Sequence, residues 1–307
     1  MGNRRLWPYL VWSFVYILML LSLIVPPLLL LTMWFLMVPV LVLYVKLDTK
    51  RFVLFYGASL AVVYVLTAGI GPLLLAISLF FLPPVIVMGN LHKKKSAAKT
   101  VLTAGMVTLL AEALLSLVIG YAVGFDPVSK FQTSMTETIE SYPEGFMGMV
   151  KTYTDQYVQV IVQMIPFYLI LFSYAFTAVN HTIARRILNR MGAELPGMKP
   201  LREWRMPKTF VVIYIITTVL YMALPAGDTS MMSTLVLNLH PLLTLVFVAQ
   251  GLSFLFFTAH ERGRSRALPI AAVVLLVLLF PLLMYVYSIL GVMDAALPLR
   301  ERFRKNR

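Results

Sequence analysis

Residues 7–46 read WPYLVWSFVYILMLLSLIVPPLLLLTMWFLMVPVLVLYVK, and no charged side chain occurs from Trp7 to Val45. A helix needs about 20 mostly apolar residues to cross a hydrocarbon core of ~30 Å, because in lipid every backbone amide must be satisfied within the segment. This stretch holds two such helices back to back, with Pro27 at the turn between them. The first is too long for a secretory h-region, is followed by no small-residue cleavage site, and is expected to be retained.

The same pattern continues along the chain. Apolar stretches near 7–25, 28–46, 52–69, 71–90, 99–123, 156–188, 208–225, 232–259 and 267–290 each qualify or nearly qualify as spans. Composition agrees: the 307 residues are 60% hydrophobic and 13% charged, with a mean hydropathy of +0.85. A soluble chain carries roughly 25% charged residues. Half that fraction cannot cover a water-exposed surface, which excludes a soluble or disordered chain, while Gly 16 and Cys 0 exclude collagen-like and disulfide-rich classes. The expected fold is an all-α polytopic membrane protein with eight to nine membrane segments.

Basic residues set the orientation, because Lys and Arg accumulate on cytoplasmic loops. Arg4 and Arg5 precede the first span, Lys46, Lys50 and Arg51 follow the second, and Lys93, Lys94, Lys95 and Lys99 follow the fourth. Arg185, Arg186, Arg190, Lys199, Arg202, Arg205 and Lys208 follow the sixth, and Arg262, Arg264 and Arg266 follow the eighth. Nineteen of the 26 basic residues therefore share one side, and the N-terminus is expected in the cytoplasm. The net charge of +13 then serves orientation and anionic headgroups, and nucleic acid is not an expected partner. Five further basic residues, Arg300, Arg302, Arg304, Lys305 and Arg307, would lie outside under strict alternation. An internal tail with one non-crossing segment removes the conflict. Span 9, with Pro281 at its middle, and span 8, with His240-Pro241, are the candidates.

Two hairpins are related at an offset of 45 residues: Pro27-Leu28-Leu29-Leu30 matches Pro72-Leu73-Leu74-Leu75, Phe35 matches Phe80, and Pro39-Val40 matches Pro84-Val85. A parallel repeat and a coincidence between Leu-rich spans both account for the match. Three regions follow from the loops: a six-span unit over 1–190, a basic Pro/Gly-containing linker over 191–207, and a C-terminal helical unit with a basic tail over 208–307. Within the first, segment 124–155 has amphipathic spacing from Asp126-Pro127 onward. It reads either as a helix lying in the outer interface or as a lid over a pocket.

Polar residues inside the spans are the candidate site. Glu112 stands mid-span in a row with Thr100, Ala104, Thr108, Ser116 and Gly120. A carboxylate at that depth costs a few kcal/mol, so it faces protein or water, or is protonated. Packing seam and substrate- or proton-handling carboxylate are both open readings. Gln156, Gln159, Gln163, Ser173, Thr177 and Asn180 form one stripe down span 6, too polar to face lipid. Solute recognition and helix–helix hydrogen bonding fit it equally. His240, beside Asn238 and Pro241, is a packed histidine or a further ligand-binding group. The four histidines lack metal-ligand spacing, no phosphate loop or catalytic triad is present, and no metal, cofactor or enzymatic activity is expected. On the inner loops, Arg202, Trp204, Arg205, Lys208, Arg262 and Arg264 suit anionic lipid headgroups or a membrane or cytoplasmic protein partner.

Three stretches carry a family likeness: Arg202-Glu203-Trp204-Arg205-Met206-Pro207-Lys208, Gln250-Gly251-Leu252-Ser253-Phe254 leading to His260, and Ile289-Leu290-Gly291-Val292-Met293-Asp294. They resemble the YybS-like family of bacterial predicted membrane proteins, which implies a plasma-membrane protein of Gram-positive type with no assigned substrate. More distantly, the first six spans are similar to the substrate-binding (S) components of energy-coupling factor transporters, which are six-helix units with both ends inside. Those proteins dock an energising subunit through small residues at four-residue spacing on helix 1. Here Leu10 to Ile17 is bulky and lacks that pattern. The functional expectation is binding or transport of a small polar or amphipathic solute between spans 5 and 6. The alternative is a membrane scaffold docking partners through its basic loops.

Overall fold

Prolines decide where the apolar stretches become helices and where they break. The computed structural model describes residues 6–141, 154–225, 227–263 and 267–305, and every regular element among them is helical. In chain order the helices are α1 (Trp7–Ser22), α2 (Pro26–Thr32), α3 (Met37–Lys46), α4 (Thr49–Thr67), α5 (Gly71–Phe80), α6 (Leu82–Lys93), α7 (Ala98–Ala122) and α8 (Pro127–Ser141). They continue as α9 (Thr154–Gln163), α10 (Ile165–Arg190), α11 (Lys208–Ala223), α12 (Met231–Glu261), α13 (Ala267–Leu278), α14 (Phe280–Ala296) and α15 (Leu299–Lys305). Among the described residues six segments are long and apolar enough to cross a membrane: Pro26–Lys46, Thr49–Thr67, Gly71–Lys93, Ala98–Ala122, Ile165–Arg190 and Met231–Glu261. Trp7–Ser22, Lys208–Ala223, Pro269–Leu278 and Phe280–Ala296 are shorter apolar helices.

The chain forms two compact units that interleave in sequence. One comprises residues 1–127 and 169–198, the other 128–168 and 199–307. Segment 128–168 thus groups with the C-terminal helices, a partition that differs from one drawn at the 191–207 loop.

In the first unit the 45-residue offset reappears in the backbone. α2 and α5 begin at Pro26 and Gly71, and α3 and α6 at Met37 and Leu82. Each pair is one span interrupted a few residues before a proline, Pro39 or Pro84, whose ring and missing N–H disturb the preceding turn. Equivalent helices pack together, α1 on α4 and α3 on α6. Ser78 joins them at depth, its hydroxyl lying 2.5 Å from the Tyr16 hydroxyl and 2.6 Å from that of Tyr56. The basic ends also converge: Lys46 donates to the Met191 carbonyl, Lys93 to that of Leu47, and Lys95 pairs with Glu194 at 3.3 Å. The basic C-terminal ends of α3, α6 and α10 therefore share one end of this unit.

α7 departs from the expected small-residue seam. Its buried positions are Ala98, Val101, Leu102, Gly105 and Leu109, all in its first half. The row from Thr100 to Gly120 is exposed or half-buried throughout. A four-residue spacing drifts around a 3.6-residue helix, so the row cannot stay on the packed face. The amphipathic helix expected from Asp126-Pro127 onward forms as α8 and is largely exposed, while residues 142–153 of that segment lie outside the described residues.

The second unit is built on α12. Gly251 of α12 and Gly291 of α14 let the two backbones touch, because a Cβ on Gly251 would strike the Tyr287 carbonyl and one on Gly291 the Phe247 carbonyl. Residues 267–290 do not make one straight span. Pro281 removes an N–H and crowds the preceding turn, and the chain turns back sharply at Leu279 between α13 and α14. The Tyr287 hydroxyl donates to the Ala272 carbonyl at 3.1 Å, although fifteen residues of straight helix would separate them by about 22 Å.

A buried ion pair lies at the far end of α14. Arg300 and Asp294 have side chains 4% and 1% exposed, joined at 2.6 Å. The Arg300 Nη1 donates to the Arg202 carbonyl at 2.8 Å and its Nη2 to Ser253 Oγ at 2.9 Å. Ser253 donates onward to the Trp204 carbonyl, while Gln250 donates to Asp294 and accepts from the Met206 N–H. The basic tail thereby sits at the same end of the unit as linker residues 199–207.

Two measurements of denaturant stability in micelles test these contacts. Gly291→Ala should cost roughly 1–3 kcal/mol or more by overpacking. Gly57→Ala, where a Cβ meets nothing within 4 Å, should be neutral or mildly stabilising; equal effects would refute the crossing. Asp294→Ala leaves a buried guanidinium unpaired and should cost about 3–5 kcal/mol, and the double change Asp294→Ala with Arg300→Met should recover much of that loss. A double variant no better than Asp294→Ala would show that the ion pair is not what holds the tail.

Candidate functional site

The polar stripe expected along span 6 is cut in two by Pro166. α9 ends at Gln163 and α10 begins at Ile165, so the Phe167 N–H does not reach the Gln163 carbonyl within the helix. Asn238 of α12 replaces that bond. Its Oδ1 accepts from the Phe167 N–H at 2.6 Å and its Nδ2 donates to the Gln163 carbonyl at 2.7 Å. Gln163 itself donates to the Asp228 carbonyl, and Gln159 is exposed. This part of the stripe, within the second unit, repairs a helix break. The expected continuous face from Gln156 to Asn180 is corrected accordingly.

The lower part of the stripe, within the first unit, behaves differently. Ser173, Thr177 and Asn180 are all buried. Asn180 Nδ2 donates to the carbonyls of Trp34 (3.0 Å) and Phe176 (2.8 Å), which fixes the amide so that Oδ1 points away from both. That Oδ1 and the Thr177 hydroxyl are buried without a hydrogen-bond partner among the described residues. One residue on, His181 is 2% exposed and neither ring nitrogen is partnered. Its ring stacks on that of His92, with centroids 5.1 Å apart and planes inclined by 5°, and His92 Nε2 is unpartnered too. Each such group forfeits about 1–3 kcal/mol of hydrogen bonding unless something binds it.

Apolar side chains pack around this cluster. Trp34 stacks on Phe176 at 4.4 Å and Phe81 on Phe176 at 5.8 Å. Gly105 of α7 lies against Thr177 and Met88, where a Cβ would come within 2.7 Å of Thr177 Cγ2 and 2.6 Å of the Met88 sulfur. Arg185 does not enter the cluster's bonding; its Nε donates to the Leu195 and Pro196 carbonyls and holds the loop after α10. The stacked imidazoles are parallel, so their nitrogen lone pairs do not converge on one point, and no metal-ligating group of three occurs among the described residues.

Glu112 is half-buried and makes no ion pair among the described residues. It lies seven residues beyond Gly105, about 10 Å along α7 from the level of Thr177. Thr108 donates to the Ala104 carbonyl and Ser116 to that of Glu112, so both hydroxyls are spent on their own helix. His240 is held between Tyr214 and Tyr221, with ring centroids 5.6 and 4.6 Å away and nearly parallel planes. Sequence reasoning missed His92 and His181. The signal was available in part, since His181 continues the Ser173–Thr177 spacing by four residues.

The basic-loop residues are dispersed over the linker end of the second unit. Arg205 and Lys208 are exposed, Trp204 is half-buried with Nε1 donating to the Lys199 carbonyl, and Arg262 lies over the Phe303 ring at 5.0 Å. Arg202 is half-buried, and Arg264 lies outside the described residues.

The family model described as "Predicted membrane protein (DUF2232)" matches residues 13–295. The chain is also similar to "Uncharacterized protein YybS" of Bacillus subtilis (strain 168), 23% identical over 227 residues, covering 71% of this chain and 73% of that one. No solved structure matches it. With helices throughout, six segments able to cross a membrane and a family match over nearly its whole length, the chain belongs to the DUF2232 family of predicted membrane proteins.

Proposed function

We propose that this protein binds a small polar solute within the membrane, as a receptor or transporter, through Thr177, Asn180, His181 and His92. One observation carries the reading: five buried side-chain nitrogen and oxygen atoms of these four residues gather on α6 and α10 without hydrogen-bond partners among the described residues. Hydroxyl, amide oxygen and imidazole groups favour a neutral, hydrogen-bonding solute over an ion, and they point to binding rather than catalysis. The site sits toward the basic ends of α6 and α10, close to Lys93 and Arg185 in sequence.

The same reading includes an orientation and a count. With the basic ends of α3, α6 and α10 and the tail on the cytoplasmic side, the chain crosses eight times and the α13–α14 hairpin returns to the side it left. The first six crossings then have the both-ends-inside arrangement of a substrate-binding component of an energy-coupling factor transporter. A scaffold role would leave the buried polar cluster without a purpose.

The test is ligand-induced thermal stabilisation of the purified protein, screened against neutral polar metabolites, with native mass spectrometry for co-purified molecules. His181→Phe keeps the stacked ring and removes both nitrogens, so the folded protein should persist while the stabilisation disappears. Stabilisation that survives both His181→Phe and Thr177→Val would place the solute elsewhere.

A further inference from the structure

At the linker end of the second unit lies a cavity of about 290 Å³, lined on one side by Arg205, Lys208 and Glu301 and floored by Gln250, Asp294 and Arg300. Its charges are not balanced. Asp294 and Arg300 neutralise each other in the buried pair, which leaves two cations, Arg205 and Lys208, against the single carboxylate of Glu301. Neither Arg205 nor Lys208 makes an ion pair among the described residues, and both are exposed.

The surroundings fix where this cavity lies. Lys208 opens α11, an apolar helix of 16 residues, and Trp204 is four residues earlier with its indole N–H turned to the Lys199 carbonyl. Trp and basic residues at the end of an apolar helix mark the headgroup level of a bilayer. Anionic lipids present their phosphates at that level, and guanidinium and ammonium groups hold phosphate through charge-assisted hydrogen bonds.

We infer that this cavity seats a phosphate group carried by an anionic lipid headgroup, gripped by Arg205 and Lys208. The inference is independent of the solute site, which lies in the other unit. Because the floor joins the linker to α12, α14 and the tail through Gln250 and Arg300, an occupied cavity also stabilises the closed tail.

The test uses the full chain in neutral detergent micelles, titrated separately with phosphatidylglycerol, phosphatidylcholine and inorganic phosphate. The readouts are thermal midpoint and lipid adducts in native mass spectra. Phosphatidylglycerol should raise the midpoint and remain bound, and phosphatidylcholine should not. R205Q/K208Q should keep the lipid-free midpoint and weaken phosphatidylglycerol binding roughly thirtyfold, at about 1 kcal/mol for each cation lost near the surface. R262Q, which removes a basic residue outside the cavity, should bind like the unaltered protein. Equal binding by R205Q/K208Q, or an equal loss in R262Q, would overturn the site. Stabilisation by inorganic phosphate alone, lost in R205Q/K208Q, would overturn the lipid as the source of the phosphate.

Discussion

Backbone meets backbone where Gly251 crosses Gly291, and the second unit is arranged around that contact. Without a hydrophobic difference between helix and lipid tail, helices in a bilayer associate by close packing and hydrogen bonding, and small residues permit both. Once α12 and α14 are this close, Ser253 on one and Asp294 on the other come within reach of a single guanidinium, and Gln250 reaches Asp294 from α12. Arg300 fills that position. The glycine crossing and the ion pair are therefore one construction, steric at its centre and electrostatic at its end.

The first unit solves a different problem. Its spans are interrupted at Pro39 and Pro84, as the second unit is at Pro166, and each interruption frees backbone groups that lipid cannot satisfy. At Pro166 the answer is a side-chain amide, Asn238, which makes the two bonds that the helix has lost. Against that economy the bare polar atoms of Thr177, Asn180, His181 and His92 stand out. The same fold that spends an asparagine to repair one break leaves a whole cluster unrepaired.

Much of the architecture was legible in the sequence because lipid imposes simple rules. The apolar stretches and the Pro-marked repeat both derive from one-dimensional patterns, and the helices fall where those patterns lie. The reversal at Leu279 was half-visible: Pro281 signals a break, but only tertiary contacts such as Tyr287 with Ala272 tell a kink from a hairpin. The candidate site was less legible. A polar stripe assumes an unbroken helix, and Pro166 divides it between a structural repair and an unpartnered cluster. Gly251 with Gly291, and His92 with His181, are brought together across tens of residues, where no periodicity connects them. The three stretches that carry the family likeness are the ones that meet around Arg300, a convergence that only the folded chain displays.

The position of Arg300 also makes the packed end of the second unit depend on the last turns of the chain. Asp294 lies six residues before its counter-charge, and an unpaired carboxylate resists burial. A chain cut between Ala296 and Arg300 would keep all of α14 and lose the cation that lets the end of that helix stay buried.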